Sequence, residues 1–281
     1  MVDKPAGRTS HDVVARARRA LGTRSVGHTG TLDPFATGLL ILLVGRATRL
    51  ARFLEPESKT YLATARLGVR TDTDDHTGQV IEEVPIGGLR REAVLDALAG
   101  FAGQQRQRPP AFSAKHVAGA RSYRLARRGL AVDPPEATIV VHRIDPVEWA
   151  PPQLTFRARV SAGTYLRAIA RDLGTRLSVG AHLTALRREA IGELRVEDAV
   201  SLENLGPAVL QPVVRVLRHL PAVELDSEAR TAVLHGRRVA HSDPAAQRGG
   251  EPVVLLEGSE VIAVAKAGDG WLKPSVVLAE P

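Results

Sequence analysis

One carboxylate in the chain stands out because of its neighbours. Asp33 lies in segment 25–38, Ser-Val-Gly-His-Thr-Gly-Thr-Leu-Asp-Pro-Phe-Ala-Thr-Gly. Pro34 fixes its own φ and restricts Asp33 to extended conformations. Gly30 and Gly38 allow other backbone to come close. A rigid loop that presents a single carboxylate suits a nucleophile or a general base.

The same residues also allow a simpler interpretation. Asp-Pro is common in turns, so Asp33 could merely cap a turn. Three glycines and one proline in fourteen residues predict an irregular loop rather than a helix or a strand. From the residues alone both roles for Asp33 stay open, and the turn role is the more common one.

The segments on either side of this loop must position it. Thr9 or Ser10 can cap a helix that runs to about Leu21. Asp12 falls in the first turn of that helix, where a carboxylate suits the helix dipole. The apolar run Gly38–Val44 follows the loop and predicts a buried strand or the start of a buried helix.

Later segments have clear periodicity. Thr60–Leu67 and Leu154–Ser161 alternate between apolar and polar residues and predict strands. Arg91–Phe101 has helical spacing, and a second helix is expected from a cap at Thr164 to about Leu177. We therefore expect helices and strands in one mixed domain.

Segment 103–135 is predicted to be a long irregular insertion. Loops of this length inside a domain are usually functional or disordered. Segment 104–130 contains no Asp or Glu, so its arginines cannot all pair with local acids, and we expect phosphate contacts from them. These arginines are Arg106, Arg108, Arg121, Arg124, Arg127 and Arg128.

The tail after Pro221 has a different pattern. A short helix is expected at Ser227–His235, where Gly236 ends it. Three short strand-like segments follow, separated by turn signals: Pro252–Leu256, Val261–Lys266 and Trp271–Leu278. This pattern predicts a small β-domain, with a boundary near Pro221.

Composition limits the classes of function. The 281 residues include no Cys, which excludes disulfides, zinc-thiolate sites and cysteine nucleophiles and favours the cytoplasm. No apolar run approaches the roughly 20 residues that span a bilayer, and the opening residues do not resemble a secretory signal. The net charge of +7 is compatible with a polyanionic partner. Only five of the 38 basic residues are Lys, so GC-rich coding bias explains the charge equally well.

The Asp33 loop also carries a family resemblance. Its sequence from Gly27 to Pro34, followed by Ala36-Thr37-Gly38, resembles the signature of the TruB family of tRNA pseudouridine synthases. One departure is His116, where the family pattern predicts Lys. The other segments that resemble family motifs are Asp3–Gly7, Thr9–His11, Lys59–Tyr61, Arg70–Asp74, Pro109-Pro110 with Ser113-Ala114 and Tyr123, Gly163–Arg167, Gly180–Leu183 and Leu186–Arg188.

The resemblance implies a reaction and its catalytic residues. Enzymes of this family break the glycosidic bond of a uridine, turn the base and rejoin it through C5, without a cofactor or a metal. Asp33 is then the nucleophile, and Arg167 is its ion-pair partner. The carboxylate must be ionised to attack, so its pKa is expected not to rise on burial.

Tyr61 has a role in the same implied reaction. It stacks on the target base, with its hydroxyl near the C5 proton. Without the resemblance, Arg167 would be interpreted as a surface charge and Tyr61 as an ordinary strand residue.

The resemblance also implies substrate contacts. His28 fills the gap left when the uridine leaves its stack, since an aromatic ring can replace a base. Leu186 packs against the target base from the side opposite Tyr61. Lys4 and Tyr165 complete the expected substrate-binding set.

The implied fold is α/β (α+β), the pseudouridine-synthase fold, with a mixed, mainly antiparallel sheet and flanking helices. Residues 1–221 are expected to form the catalytic domain, with an RNA-gripping insertion at about 103–135. Residues 222–281 are expected to form a PUA-type RNA-binding domain. The implied substrate is uridine 55 in the T-arm of tRNA, and we expect a monomer with no membrane partner.

Two other functions are compatible with the same motifs. A tRNA-folding chaperone would bind the same RNA, with catalysis secondary or lost. A guide-RNA-dependent catalytic subunit would need further partners, and the short N-terminus argues against it. A multiple-turnover assay of the pure protein on unmodified tRNA separates the three.

Overall fold

The computed structural model describes residues 1–113, 116–117, 120–122, 125, 130, 133–241, 250–268 and 270–280. The α-helices whose bounds it defines are α1 (Ser10–Ala20), α2 (Ala51–Leu54), α3 (Arg91–Ala99), α4 (Leu166–Arg176) and α5 (Ser227–Leu234). Among the helices of these residues, none has the length and apolar character needed to cross a bilayer.

The strands form one large sheet, one smaller sheet and two hairpins in the described residues. Those before residue 221 are β1 (Val2–Lys4), β2 (Val26–Thr29), β3 (Thr37–Val44), β4 (Lys59–Leu67), β5 (Val69–Thr71), β6 (Val80–Glu83), β7 (Gly103–Gln107), β8 (His116–Val117), β9 (Ala120–Arg121), β10 (Ala137–Ala150), β11 (Gln153–Val160), β12 (Ala181–Ile191), β13 (Leu194–Arg195) and β14 (Val200–Ser201). Those after it are β15 (Ala222–Glu224), β16 (Val239–Ala240), β17 (Pro252–Glu257), β18 (Glu260–Gly268) and β19 (Trp271–Val277).

The large sheet has the order β14-β1-β3-β12-β4-β11-β10-β7, with β2 attached to β3 and β13 to β12. The β1–β14 and β3–β12 pairs are parallel, and the other pairs of this sheet are antiparallel. This is the mixed, mainly antiparallel sheet expected from the sequence. Strands β3, β12 and β4 lie side by side at its centre, and two of the predicted site residues, Tyr61 on β4 and Leu186 on β12, lie on them.

Helix α4 lies against β12 and β4. The alternation of β4 turns Tyr61, Ala63 and Ala65 to the same face, where they join Ile169 and Leu173 of α4 in one buried cluster. Two alanines in the middle of that strand leave room for the helix. The packing therefore brings the N-terminal turn of α4 over the centre of the sheet.

The expected helix at residues 9–21 is confirmed in detail. The Thr9 hydroxyl accepts a hydrogen bond from the Asp12 amide at 3.1 Å, and Asp12 accepts one from the Thr9 amide at 2.8 Å. This reciprocal capping box satisfies backbone donors at the start of the helix. Val13, Val14 and Ala17 form the buried face.

Three local predictions were wrong. Segment 25–38 is not wholly irregular, because β2 pairs with β3 over four residues. The insertion begins with a strand, since β7 pairs with β10 at the sheet edge. Both segments contain residues with weak strand propensity, and tertiary pairing overrides that preference. Thr164 does not cap α4, whose N-cap is Tyr165 without a side-chain cap.

The tail forms a five-stranded sheet, β15-β17-β18-β19-β16, with α5 packed on it. The helix and the three predicted strands are confirmed, whereas the short strands β15 and β16 were missed. The tail also shares a core with the rest of the chain. Val254, Val264 and Val276 belong to the same buried cluster as Leu39 and Leu217.

Candidate active site

The Asp33 loop joins β2 to β3 and is held by backbone hydrogen bonds. The Leu32 amide donates to the Ser10 hydroxyl at 3.0 Å, which ties the loop to α1. The Gly7 amide donates to the Pro34 carbonyl at 2.9 Å. These contacts leave the Asp33 backbone little freedom, as the proline in the sequence predicts.

Lys4 holds the Asp33 loop through hydrogen bonds to backbone carbonyls. Its side chain is fully buried, and its ammonium donates to the carbonyls of Pro5 at 2.9 Å, Arg8 at 2.7 Å and Pro34 at 3.2 Å. Burial lowers the pKa of Lys4 to about 8, although the charge of Asp33 partly opposes that shift. All three N–H donors are engaged in the described structure, so Lys4 acts on the loop backbone, and direct contact with substrate stays a prediction.

Arg188 is a second buried cation next to the loop. It lies on β12, and its guanidinium donates to the carbonyls of Leu39 at 2.7 Å and Gly30 at 2.9 Å. β12 approaches β3 so closely that a Cβ on Gly38 would overlap the Arg188 backbone. Gly38 also has φ +102°, which disfavours any side chain. This explains the need for glycine at the end of the motif.

Arg167 reaches Asp33 from α4. Its Nη2 donates to Oδ1 of Asp33 at 3.1 Å, and its Nε lies 2.9 Å from Oδ2. The arginine side chain is 4% exposed and that of Asp33 is 33% exposed. The guanidinium thus faces both carboxylate oxygens, Oδ1 through a hydrogen bond and Oδ2 through a close ion-pair contact, and we call this two-point contact the fork. It fixes the direction of the carboxylate and leaves part of it exposed.

Arg167 is itself held by other groups. Its Nη1 donates to the Thr73 carbonyl at 2.8 Å and lies 3.4 Å from Oδ2 of Asp75. Its Nη2 also donates to the Phe112 carbonyl at 2.9 Å. Asp75 is buried, and its Oδ1 accepts from the Thr77 amide at 2.9 Å. The guanidinium therefore has one preferred position, between two carboxylates and two carbonyls.

Two sets of interactions shift the pKa of Asp33 in opposite directions. Burial raises the pKa of the Asp33 carboxyl above its ordinary value of 3.8, and the charge of Asp75 acts in the same direction. The Arg167 guanidinium and, more weakly, Lys4 oppose this rise. The net direction is upward, which makes the carboxylate a stronger base than an exposed aspartate. The expectation that the pKa of Asp33 does not rise on burial was therefore wrong.

Tyr61 and Leu186 lie beside each other on the sheet. Tyr61 pairs with Arg188, and Leu186 pairs with Ala63, so the two side chains are diagonal neighbours on one face. Both belong to the cluster that contains Leu32, the residue before Asp33. The sheet thus brings an aromatic ring and an apolar side chain to the site of the carboxylate.

His28 lies on β2, five residues before Asp33. Its ring makes an edge-to-face contact with His11, with centroids 5.6 Å apart. Its Nδ1 is buried and has no hydrogen-bond partner among the described residues. Burial lowers the pKa of His28, and the charges of His11 and Arg188 add to this effect. A neutral imidazole with a free edge can stack or donate to an incoming group.

Tyr165 precedes Arg167 at the start of α4. Its backbone is bonded to the Gln107 side chain, with the Tyr165 amide donating to Oε1 at 2.8 Å and Nε2 donating to the Tyr165 carbonyl at 3.1 Å. Burial raises the pKa of the Tyr165 hydroxyl, and the nearby Ser113 side chain and the charge of Arg167 oppose that rise.

The insertion arginines differ in part from the expectation. Arg108 donates to Asp133 at 2.8 Å, and Arg106 donates to Glu136 at 3.1 Å. The acids lie just beyond the acid-free segment, so these two arginines are paired in this structure. The other four, Arg121, Arg124, Arg127 and Arg128, have side chains outside the described residues, and their phosphate contacts stay a prediction.

The site therefore combines a carboxylate held by Arg167 with the sheet face that carries Tyr61 and Leu186. The described residues contain no group of three or more His, Cys, Asp or Glu suited to a metal ion.

Three supporting residues escaped the sequence prediction: Asp75, Arg188 and Gln107. The only signal for Asp75 was an aspartate-rich turn at residues 71–78. Arg188 lies in a segment that resembles a family motif, but no role was assigned to it. Nothing in the sequence pattern distinguished Gln107.

Two family models match this chain over residues 18–220. Residues 18–166 match the model of the N-terminal domain of TruB family pseudouridylate synthases, and residues 167–220 match the C-terminal domain of tRNA pseudouridylate synthase B. The chain belongs to the TruB family. A TruB family relative in Thermobifida fusca, named tRNA pseudouridine synthase B, is 42% identical over 289 residues, covering 99% of this chain and 97% of the relative. Another of the same name in Deinococcus radiodurans is 41% identical and covers 95% of each chain.

Solved structures extend the TruB family comparison to the fold. A chain of a Cbf5–Nop10–Gar1 complex superposes with a TM-score of 0.78 at 26% identity, covering 99% of this chain and 84% of that one. A chain of an H/ACA RNP bound to a substrate RNA containing 2'-deoxyuridine gives a TM-score of 0.76 at 25% identity, with the same coverage. The expected pseudouridine-synthase fold is confirmed by these matches.

Proposed function

We propose that this chain converts uridine 55 in the T-loop of tRNA to pseudouridine, with Asp33 as the nucleophile. The observation that carries the proposal is the forked Arg167–Asp33 ion pair on the sheet face that also presents Tyr61 and Leu186. A partly exposed carboxylate, fixed by a buried guanidinium, suits attack on a bound base. The names of the curated relatives support tRNA as the substrate.

Each site residue has a role in the proposed reaction. Asp33 forms a bond to the target nucleotide as the glycosidic bond breaks, and it leaves once C5 of the base has joined the ribose. Arg167 keeps the carboxylate charged and oriented, because a guanidinium remains protonated at all relevant pH values. Tyr61 and Leu186 hold the base between them. The Tyr61 hydroxyl takes part in removing the C5 proton, while the N1 of the turned base gains a proton.

Base extrusion is assigned to His28. Taking the uridine out of its stack costs a few kcal/mol, and an aromatic ring in the vacated place offsets part of that cost. The pKa of His28 is lowered by burial, so the ring is neutral at physiological pH and stacks without the penalty of burying a charge. Tyr165 acts beside the base, and Lys4 holds the backbone of the Asp33 loop.

In this proposal, the part of the chain with the large sheet carries out catalysis and the part with the smaller sheet binds RNA. Residues 1–221 carry the chemistry, and residues 222–281 act as a PUA-type RNA-binding domain. Trp271, which is 42% exposed, lies in the tail with the Arg238 guanidinium 4.6 Å from its ring centroid. An exposed ring next to a cation suits RNA contact. Cytoplasmic location and a monomeric state remain predictions.

The test is a multiple-turnover assay with pure protein and unmodified tRNA. We expect one pseudouridine per tRNA, mapped to position 55, and none in a tRNA that carries cytidine there. Binding and refolding of tRNA without conversion would instead support the chaperone function. Conversion that requires an added guide RNA would support a guide-dependent subunit.

A further inference from the structure

Gln107 is a buried polar residue with an unusual pair of partners. It is 4% exposed and ends strand β7 at the edge of the large sheet. Both ends of its amide bond to the backbone of one residue, Tyr165, which lies 58 positions away in sequence. A side-chain amide here makes the two hydrogen bonds that a neighbouring strand would make in a ladder.

The bonded backbone belongs to the start of the helix that carries Arg167. Tyr165 is the N-cap of α4 and has no side-chain cap of its own. Its carbonyl accepts from the Ile169 amide at 3.2 Å as well as from Gln107. The first turn of a helix has unpaired N–H groups and frays easily. The Gln107 amide therefore pins the position from which Arg167 extends.

The same place joins the insertion to α4. Arg171 of α4 donates to the Arg108 carbonyl at 2.8 Å, and Arg167 donates to the Phe112 carbonyl at 2.9 Å. Gln107 precedes both carbonyls, so it is the first of a series of contacts between the base of the insertion and the catalytic helix. Any displacement of α4 at Tyr165 would move the guanidinium relative to Asp33.

We propose that Gln107 is a positioning residue for the reaction, whose amide fixes the N-terminus of α4 so that the Arg167 fork meets the Asp33 carboxylate. The inference rests on the proposed function of Asp33 and Arg167. Gln107 acts through Arg167 and does not touch the base. A misplacement of about 1 Å at a catalytic group can cost about 100-fold in rate, so the loss of two hydrogen bonds has a measurable effect.

The experiment compares Gln107→Met with Gln105→Met. Gln105 is the same residue type two positions earlier on β7, and its amide donates to the Phe101 carbonyl at 3.2 Å, not to α4. For Gln107→Met we expect kcat to fall about ten-fold or more, with KM for tRNA within about two-fold of wild type. Since Arg167 lowers the pKa of Asp33, loosening the pair should also move the acidic limb of the pH–rate profile upward. Gln105→Met should leave both quantities unchanged.

Hydrogen exchange of the unliganded protein gives a second measurement that does not depend on catalysis. The Tyr165 amide should exchange faster in Gln107→Met and at the wild-type rate in Gln105→Met. A kcat and an acidic limb equal to wild type in Gln107→Met would overturn the inference. So would a lowered Tm with normal kcat per folded molecule, since that result marks Gln107 as structural only. Asp33→Asn, measured alongside, distinguishes failure of this inference from failure of the proposed function. Full activity of Asp33→Asn would overturn Asp33 as the nucleophile, whatever the result for Gln107→Met.

Discussion

Asp33 and Arg167 form an ion pair in which the carboxylate is partly buried and the guanidinium is almost fully buried. A carboxylate taken out of water becomes a stronger base, but it must stay ionised to attack. The forked contact with Arg167 provides the compensating charge, and Asp75 and two carbonyls hold that arginine in place. A lysine at position 167 would keep the charge but lose the fork.

Asp33→Asn tests the nucleophile directly. The amide keeps the shape of the side chain but is not a nucleophile, so turnover should fall below about 1% of wild type while tRNA binding persists. Single-turnover conversion and filter binding measure the two quantities. Asp145→Asn, which removes an exposed partner of Arg143, is the matched control and should be fully active. Substantial turnover by Asp33→Asn, in protein free of deamidation, would point to another nucleophile.

The pH dependence follows from the raised pKa of Asp33. Activity requires the ionised carboxylate, so kcat/KM should rise with pH through a limb that lies above the ordinary aspartate value of 3.8. Stability should change in the opposite direction: the folded state holds this proton to higher pH than the unfolded chain, so the contribution of Asp33 to folding stability falls as pH rises from 3.8 through the limb.

Arg167→Lys provides the comparison for the pH profile. Losing the fork weakens the interaction that lowers the pKa of Asp33, so the acidic limb should move to still higher pH. The measurement is kcat/KM against pH under single-turnover conditions. A limb at or below 3.8 in the wild-type protein, the ordinary aspartate value, would show that the ion pair outweighs burial.

At the scale of elements, the site depends on how closely β3 and β12 approach. Gly38 lies at the start of β3, and Arg188 of β12 lies against it. The pairing of these two parallel strands therefore sets the position of the Asp33 loop relative to the sheet. Two buried cations, Lys4 and Arg188, donate hydrogen bonds to the loop carbonyls of Pro34 and Gly30. These contacts add to the loop's own turn, in which the Ala36 amide donates to the Asp33 carbonyl at 3.1 Å.

Gly38→Ala should destabilise the fold strongly. The new methyl would overlap the Arg188 backbone and would sit at φ +102°, which together should cost about 3 kcal/mol or more. Gly7→Ala separates the two causes, because Gly7 has φ +77° but a Cβ added there would meet nothing within 4 Å. That control should cost only about 1–2 kcal/mol, from the backbone conformation alone. Urea denaturation measures both, and equal losses would remove the close approach as the reason for Gly38.

At the scale of the whole molecule, the tail packs against the rest of the chain through a shared apolar core. Residues of β17, β18 and β19 share a buried cluster with β3 and segment 213–217. Arg46 donates to the carbonyls of Leu278 and Ala279, and Arg49 donates to that of Val277. Removing residues 222–281 would expose this apolar surface.

Truncation after residue 221 should therefore lower the Tm and promote aggregation, because the apolar residues of this cluster would lose their partners. The point substitution Trp271→Ala tests the role in RNA binding with the shared core intact. It should raise KM for tRNA with kcat and Tm nearly unchanged, the pattern of lost uniform binding. A ten-fold loss of kcat, about 1.4 kcal/mol, would mean that the tail shapes the active site.

The sequence by itself determined the family, the loop of Asp33, the partner Arg167 and most elements. The elements and the loop follow from local information: a proline beside an aspartate, glycines that allow close approach, and apolar periodicity. The sequence could not place β2, because Gly27, Gly30 and Pro34 surround its two strand-forming residues with turn signals, or β7, whose Gly and Gln residues have weak strand preference. Both strands are seen only in their pairing with β3 and β10.

Nor could the sequence assign Asp75, Arg188 and Gln107, because the partner that gives each of them a part in the site lies on another element. Gln107 bonds to a residue 58 positions away, and Arg188 bonds to one 158 positions away. The direction of the pKa shift at Asp33 was decided by tertiary structure alone. Desolvation and the charge of Asp75 act on this carboxyl only once the sheet, the turn and α4 have come together.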